Sequence, residues 1–383
     1  MIKCLRIFLG IICFNVLAFL NGASQVKFQK QMIAAESFES VGVFDVNNDG
    51  NPDIVSGDFW YEGPGFIKRH FIGQSQRTGN GGYWNDFATI PMDVNGDGLM
   101  DFISGDWFSK SIWWRENPGD DKEWELHLID TTGNVECIRA WDVDGDGEIE
   151  IVPNNPEQPL KYFKLQKDAK GKGTGKFIRF SVAQTQDHGL GFGDINNDGR
   201  GDFVVSDGWL EAPADLAKGK WILHKEFKLG TASVPILVED VNGDGKKDLI
   251  VGQAHGYGLD WYEQKLDAQG KRSWIKHPID PFLSQYHTME WADIDGDGKM
   301  ELITGKRYRA HNGGDPGSDD LIGLYYFKWN GESFTKNVIS YGPLGVGKGA
   351  GLFFSVADLR KSGRKDIIVA GKDGLFVFFN DGH

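Results

Sequence analysis

The sequence predicts an all-β protein that folds as a seven-bladed β-propeller, and three observations support this. A nine-residue acidic motif with glycine at its sixth position occurs seven times. Its copies begin 46 to 65 residues apart, a spacing typical of propeller blades or solenoid repeats. A short apolar stretch rich in β-branched residues follows most copies, which indicates strands. The seven copies begin at Asp45, Asp93, Asp142, Asp194, Asp240, Asp293 and Asp358.

Each repeat divides into four predicted strands. In the first repeat the inner strand covers residues 41–44, the second 54–56 and the aromatic third 59–62. A fourth strand carries an aromatic-x-x-His-x-Ile pattern, as in residues 124–129. The last repeat ends after its third strand, and residues 28–33 resemble the missing fourth one. We therefore expect the N-terminal strand to complete the last blade and close the ring, which leaves no unpaired sheet edge.

The acidic motif has the chemistry of a calcium loop. Oxygen-bearing side chains occupy positions 1, 3, 5 and 9, and glycine at position 6 allows the sharp turn of an EF-hand-like loop. Six copies keep all four oxygens, which predicts about six structural Ca²⁺ ions, whereas Arg360 and Ser362 interrupt the seventh copy. The predicted ligands are Asp45, Asn47, Asp49, Asp53, Asp93, Asn95, Asp97, Asp101, Asp142, Asp144, Asp146, Glu150, Asp194, Asn196, Asp198, Asp202, Asp240, Asn242, Asp244, Asp248, Asp293, Asp295, Asp297 and Glu301.

These loops, each followed by an apolar strand, resemble FG-GAP or VCBS repeats, of which the integrin α-subunit head is a well-known propeller. The resemblance covers residues 26–383 and implies the propeller fold and bound calcium. It implies no single function, because such repeats occur in adhesion proteins, lectin-like modules and sugar-cleaving lyases and dehydratases.

The net charge and the N-terminal segment indicate which partners and which cellular location to expect. The formal net charge of −14 disfavours nucleic-acid binding, which depends on Lys and Arg. Lys3 and Arg6 precede an apolar run that ends in small residues, which predicts a signal peptide over residues 1–23. We expect a single domain, residues 24–383, that is secreted or periplasmic and has no membrane contact after cleavage. Lipidation at Cys13 stays an alternative.

The repeat separates two groups of histidines. His70, His127, His224 and His277 occupy one equivalent position in the fourth strands, which predicts a packing role. Four others break the repeat: His188, His255, His287 and His311. His188 and His287 lie six residues before their acidic motifs, where other repeats place Glu39 and Glu136. Because inner strands converge on the propeller axis, we expect these side chains at one mouth of the central channel, opposite the calcium loops.

The residues expected at this mouth suggest metal-assisted chemistry. His188, His255, His287 and Glu136 form a plausible Zn²⁺ or Mn²⁺ site. Lys306, Arg307 and Arg309 are candidates to neutralise a carboxylate or enolate, and Tyr257, Tyr286 and Tyr308 are candidate acids or bases. Asp58, Asp106 and Asp207, at equivalent repeat positions, leave hydrolysis by a carboxylate pair open.

Together these residues favour a lyase or dehydratase that performs β-elimination on an acidic or keto sugar. The chain also resembles, more loosely, propeller-type polysaccharide lyases and the propeller domain of aldos-2-ulose dehydratases, without a motif that transfers catalytic residues. The alternative is a non-catalytic propeller that binds glycan or protein. The expected partner is a carbohydrate ligand or substrate.

Overall fold

The computed structural model describes residues 25–78, 82–216 and 218–383, so the predicted signal peptide and Cys13 lie outside the described residues. The described chain forms thirty β-strands and one 3-10 helix, Ala310–Gly313. In the part of the chain that the structure describes, no helix is long and apolar enough to cross a membrane.

Seven four-stranded antiparallel sheets form the blades, which confirms the predicted seven-bladed propeller. Blade 1 contains β2 (Gly42–Phe44), β3 (Asp53–Ser56), β4 (Phe59–Tyr61) and β5 (Arg69–Phe71); blade 2 contains β8 (Ile90–Met92), β9 (Asp101–Asp106), β10 (Ser111–Glu116) and β11 (Glu125–Asp130). Blade 3 contains β12 (Cys137–Trp141), β13 (Glu150–Asn154), β14 (Leu160–Lys167) and β15 (Gly173–Ala183); blade 4 contains β16 (Leu190–Gly193), β17 (Asp202–Val205), β18 (Gly208–Glu211) and β19 (Ile222–His224). Blade 5 contains β20 (Leu237–Glu239), β21 (Asp248–Gly252), β22 (Tyr257–Leu266) and β23 (Arg272–Ser284); blade 6 contains β24 (Tyr286–Ala292), β25 (Glu301–Lys306), β26 (Ile322–Trp329) and β27 (Phe334–Gly342).

Blade 7 joins the two ends of the chain. It contains β28 (Ser355–Ala357), β29 (Asp366–Val369), β30 (Leu375–Gly382) and, as its outermost strand, β1 (Lys27–Ala34). The pairing of β1 with β30 is antiparallel and aligns Lys30 with Phe378. The predicted closure by the N-terminal strand is therefore confirmed.

The acidic loops connect each inner strand to the second strand and are held by their own backbone. In blade 1 the two oxygens of Asp45 accept hydrogen bonds from the backbone N–H groups of Asp49 and Gly50, at 3.1 and 2.7 Å. Gly50 has φ of 87°, a left-handed conformation that glycine adopts without strain. Asp53 is fully buried and accepts the N–H groups of Val46 and Gly63, at 2.8 and 2.7 Å. The loop conformation is thus built from short-range hydrogen bonds.

The four equivalent histidines pack on tryptophan rings. The stacked pairs are His70 on Trp60, His127 on Trp114, His224 on Trp209 and His277 on Trp261, with ring centroids 3.9, 4.4, 4.2 and 4.5 Å apart. In each blade the imidazole Nε2 is also hydrogen-bonded to a glutamate of the third strand: Glu62, Glu116, Glu211 and Glu263. These contacts fit the packing role expected from the repeat.

The face opposite the acidic loops carries two additional elements. A hairpin of β6 (Arg77–Thr78) and β7 (Tyr83–Trp84) lies between blades 1 and 2, and residues 307–321 connect β25 to β26. The backbone N–H of His311 donates to the Tyr83 hydroxyl at 2.6 Å, so the two elements touch. We call this face, with the beginnings of the inner strands and the ends of the second strands, the mouth.

Candidate metal centre at the mouth

Four side chains from four blades converge at the mouth. Glu136 precedes β12, His188 precedes β16, His255 follows β21 and His287 lies in β24. One potential ligand atom from each lies within 4.8 Å of all the others. The structure therefore brings together the residues that the sequence placed in a metal site, although they are distant along the chain.

Hydrogen bonds outside this cluster orient two of the imidazole rings. His188 Nδ1 lies 2.7 Å from the Ala232 carbonyl oxygen, which can only accept, so Nδ1 carries the hydrogen. His255 Nδ1 lies 2.9 Å from an oxygen of Asp315 and donates in the same way. In its neutral form, a ring held in this way directs its Nε2 lone pair into the cluster, as metal-binding histidines do.

The two Nε2 atoms of His188 and His255 face each other at 3.0 Å. Two lone pairs at this distance repel unless a proton or a cation lies between them. Two nitrogen ligands of a tetrahedral zinc ion, each bound at its usual bond length, lie about 3.3 Å apart. The separation of 3.0 Å fits an N–H···N hydrogen bond as well as two ligands of one metal ion.

His287 and Glu136 form the buried side of the cluster. His287 is fully buried, and its Nε2 lies 2.8 Å from Oε1 of Glu136. The same carboxylate oxygen lies 3.5 Å from His188 Nε2. Within the described chain His287 Nδ1 has no hydrogen-bond partner, so its ring donates from Nε2 to Glu136. His287 can act as a ligand through Nε2 in the other neutral tautomer, in which the hydrogen is on Nδ1.

Burial and neighbouring charges shift the pKa values of three members of the cluster, Glu136, His255 and His287. Burial would raise the pKa of Glu136, but His188 and His287 lower that pKa well below its usual value. Burial, with the neighbouring His188, lowers the pKa of His255 to about 4, and burial together with Arg307 lowers the pKa of His287. Neutral imidazoles and an ionised carboxylate are the forms that bind metals.

Arg307 and Lys372 add positive charge beside the cluster. Arg307 is buried, with its Nε 3.0 Å from Glu39 and its Nη1 3.5 Å from Glu136. Lys372 Nζ lies 3.6 Å from Glu39 and 3.8 Å from the centre of the Tyr83 ring. Lys372 was not among the predicted site residues, because it follows the second strand of blade 7 and no repeat-breaking pattern marks it.

The other residues predicted for the site differ in their burial and in their hydrogen-bond partners. Lys306 is buried and donates from Nζ to the Gly317 carbonyl, and the exposed Tyr257 donates to Asp320 at 2.8 Å, so both hold the segment 307–321. Tyr286 is buried and donates to Asp280 at 2.7 Å within blades 5 and 6, so it is unsuited to the acid or base role considered for it. Tyr308 is half-buried, and Arg309 is exposed.

The three carboxylates considered for hydrolysis lie at the end of a second strand or in the turn that follows it. Asp58 accepts the backbone N–H of Ser75 at 2.5 Å, and Asp106 accepts those of Phe108 and Ser109 at 2.7 and 2.8 Å. Asp207 lies 3.3 Å from Lys225. The three carboxylates, which occupy equivalent positions in the repeat, thus make local structural contacts.

Asp315 and His311 complete the site from the long connection in blade 6. One oxygen of Asp315 binds His255, and the other lies 2.7 Å from His311 Nδ1. The His311 and His255 rings stack with centroids 4.4 Å apart. Arg309, His311 and Asn312 have φ of 54°, 48° and 55°, a left-handed conformation that is costly for residues other than glycine. Strain of this kind concentrates at functional sites.

Two openings reach the cluster. An aromatic cavity of about 230 Å³ is lined by Tyr83, Phe87, Trp107, Phe108, Glu136, Arg307 and His311. A wider groove of about 980 Å³ reaches His188 from another side and includes Asp207, Lys225 and Lys228. Glu136 and His188 thus belong to both the cluster and a ligand-accessible surface.

Comparison with known proteins agrees with this architecture. The family model described as an FG-GAP-like repeat matches residues 93–152 and 240–304. The protein is therefore a β-propeller, and it contains FG-GAP-like repeats. A search of curated protein sequences found no match.

Two solved structures with TM-scores above 0.5 support the same fold. Both are crystal structures of BBS1N in complex with ARL6DN. The lead-soaked structure has a TM-score of 0.52 and 11% identity, covering 93% of this chain and 97% of that one. The mercury-soaked structure has a TM-score of 0.51 and 12% identity, covering 92% and 96%. A third, an auxiliary nutrient binding protein from Bacteroides ovatus, has a TM-score of 0.40 and 11% identity, covering 93% and 78%. At these identities the similarity concerns the fold alone.

Proposed function

We propose that the protein is a metal-dependent carbon–oxygen lyase or dehydratase that acts on an acidic or keto sugar at the mouth. The observation that carries this proposal is the convergence of Glu136, His188, His255 and His287, with ligand atoms within 4.8 Å. These residues would hold Zn²⁺ or Mn²⁺, since imidazole and carboxylate suit both ions. When bound, the metal supplies a Lewis acid that polarises a carbonyl or carboxylate oxygen.

His311 is suited to be the base of the elimination. Its Nδ1 faces Asp315 at 2.7 Å, so the neutral ring keeps a lone pair on Nε2. The side chain is 56% exposed and lines the aromatic cavity. In the proposed step His311 removes a proton from the carbon next to the carbonyl or carboxylate. The electron pair forms a carbon–carbon double bond, and the bond from the next carbon to its oxygen breaks. That oxygen takes up a proton from protonated His311 or from solvent and leaves as water or an alcohol.

The surroundings of the cluster suit a sugar that carries a negative or developing negative charge. Tyr83, Trp107 and Phe108 line the cavity with aromatic rings that can pack on the apolar face of a sugar. The guanidinium of Arg307 also borders this cavity, and Lys225 and Lys228 border the wider groove. A cation beside the reacting carbons stabilises the charge that develops during proton removal.

The test combines metal analysis with product formation. Metal-stripped protein would be reloaded with Zn²⁺ or Mn²⁺ and incubated with uronate-containing glycans and keto sugars, while absorbance of unsaturated products is followed. We expect one transition-metal ion per chain and metal-dependent product. His188→Ala and His255→Ala should lose the metal and the activity, whereas His127→Ala, a histidine stacked on Trp114, should keep both per folded molecule.

His311→Asn separates the base from the metal site. This variant should retain the metal but lose activity by on the order of 10²-fold or more, the usual contribution of a positioned acid or base. If the wild-type protein binds these glycans and forms no product with any divalent metal, the lyase proposal fails. The protein is then a carbohydrate-binding propeller, the second candidate, which the aromatic cavity favours.

The proposal also includes calcium and export. The six acidic loops with complete oxygen sets have the form of calcium loops, because a backbone N–H group holds the carboxylate at position 1 of each one. Calcium there would relieve repulsion among carboxylates and stabilise the blades. Residues 1–23 would direct the chain out of the cytoplasm, to a secreted or periplasmic location.

A further inference from the structure

The six loops with complete oxygen sets fall into two classes. In blades 1, 2, 4 and 5, position 3 is Asn, position 9 is Asp, and the third strand supplies a Glu beside the loop. In blades 3 and 6, position 3 is Asp, position 9 is Glu, and the third strand supplies a Lys. The residues of the second class are Asp144, Glu150 and Lys164 in blade 3, and Asp295, Glu301 and Lys328 in blade 6. All three positions therefore change together.

In blade 3 the lysine ammonium lies among the oxygens of the loop. Lys164 Nζ is 2.5 Å from Asp144, 2.5 Å from Asp146 and 3.3 Å from Glu150. These are positions 3, 5 and 9, which calcium would need as ligands. The side chain is 22% exposed, so the contact is partly shielded from water.

Blade 6 repeats this arrangement. Lys328 Nζ donates to Asp295, lies 2.8 Å from Asp297 and lies 3.8 Å from Glu301. Two blades that are not neighbours along the chain thus place an ammonium group at the same point of the same loop.

The first class has different neighbours. In blades 2 and 5 the third-strand glutamate accepts from the Asn at position 3: Glu116 from Asn95 at 3.1 Å and Glu263 from Asn242 at 3.0 Å. Lys246, at position 7 of blade 5, contacts a single carboxylate of its loop, that of position 5, at 2.7 Å.

We propose that in blades 3 and 6 the lysine ammonium is the resident cation of the loop and that calcium binds in blades 1, 2, 4 and 5 only. An ammonium and a calcium ion cannot both occupy the space bounded by positions 3, 5 and 9. The additional Asp at position 3 gives these two loops one more negative charge, which the lysine offsets. The protein then binds four calcium ions rather than the six expected from the motif.

The test counts calcium in the full-length mature protein. After removal of calcium with a chelator, equilibrium dialysis against Ca²⁺ measures ions bound per chain in the wild type and in Lys164→Met/Lys328→Met. Methionine keeps much of the side-chain volume and removes the charge. Lys246→Met is the matched control, because this lysine contacts only one carboxylate of a first-class loop. Thermal unfolding with and without Ca²⁺ gives a second measurement.

We expect Lys164→Met/Lys328→Met to bind two more calcium ions per chain than the wild type, and Lys246→Met to bind the wild-type number. In chelator the double variant should unfold at a lower temperature than the wild type, because two of its loops lack a cation, and added Ca²⁺ should remove this difference. Six ions in the wild type, or no increase in the double variant, would overturn the proposal. Neither result depends on activity at the mouth.

Discussion

Deleting residues 24–34 removes β1 and leaves the edge of β30 unpaired. Strand β1 aligns seven residues with β30, and a few of its backbone hydrogen bonds would be lost. At about 1 kcal/mol each, four to six such bonds contribute roughly 4–6 kcal/mol. Val26 is buried, and Phe28 and Ile33 pack against the core of blade 7. Their lost burial costs on the order of 3–5 kcal/mol.

The expected loss of roughly 7–11 kcal/mol compares with a total stability of about 5–15 kcal/mol for a typical domain. We therefore expect the truncated protein to unfold or to aggregate through the exposed edge. Size-exclusion chromatography and thermal unfolding would measure this. A monomeric truncated protein with an unchanged melting temperature would refute the reasoning.

A pair of single substitutions tests the same closure without a deletion. Phe28→Asp introduces a charge where the ring packs against the core, whereas Gln29→Asp changes the neighbouring exposed position. We expect Phe28→Asp to lower the free energy of unfolding by about 3 kcal/mol or more, and Gln29→Asp to change it by less than about 0.5 kcal/mol. Equal effects would mean that β1 contributes little to the ring.

Three more results are expected. Chelation of calcium should lower the melting temperature, and Asp97→Ala should lower it only when calcium is present, whereas Ser362→Ala in the interrupted loop should have little effect in either condition. His127→Ala should cost about 1–2 kcal/mol of unfolding free energy in a denaturant titration, because it removes the ring stacked on Trp114 and the imidazole partner of Glu116 Oε2. Burial raises the pKa of Asp86 well above its usual value, so the folded state holds a proton that the unfolded state releases above about pH 4. The folded state is therefore most stable, as far as Asp86 is concerned, below that pH, and it loses stability as the pH rises. We expect Asp86→Asn to raise the melting temperature more at pH 8 than at pH 5. An equal shift at both pH values would contradict this.

The propeller fold could be predicted from the sequence because the features that define it are local. The acidic loop is built from hydrogen bonds between residues two to ten positions apart, such as those of Asp45 with Gly50 and of Asp53 with Gly63. Glycine and carboxylate spacing therefore predicts the turn directly. Seven copies determine the number of blades, and the missing last strand identifies β1 as its replacement.

The same repeat separated the histidines into two groups. A side chain at an equivalent position in several blades meets equivalent neighbours, as His70 and His127 do on their tryptophans. A side chain that breaks the pattern, such as His188 or His287, is released from that packing role. The positions of the site residues on one face followed from strand direction alone.

Only the tertiary structure decided which atoms meet at the mouth. Glu136 and His287 are 151 residues apart and touch because the ring closes and their blades converge on the axis. The tautomers of His188 and His255 depend on Ala232 and Asp315, which no sequence pattern connects to them. The same holds for the acidic loops: their ligands are visible in the motif, but the lysine that enters two of them comes from a neighbouring strand. The sequence by itself determined the local loops and their repetition, because these need only short-range hydrogen bonds, whereas distances between side chains of different strands and blades required the packed fold.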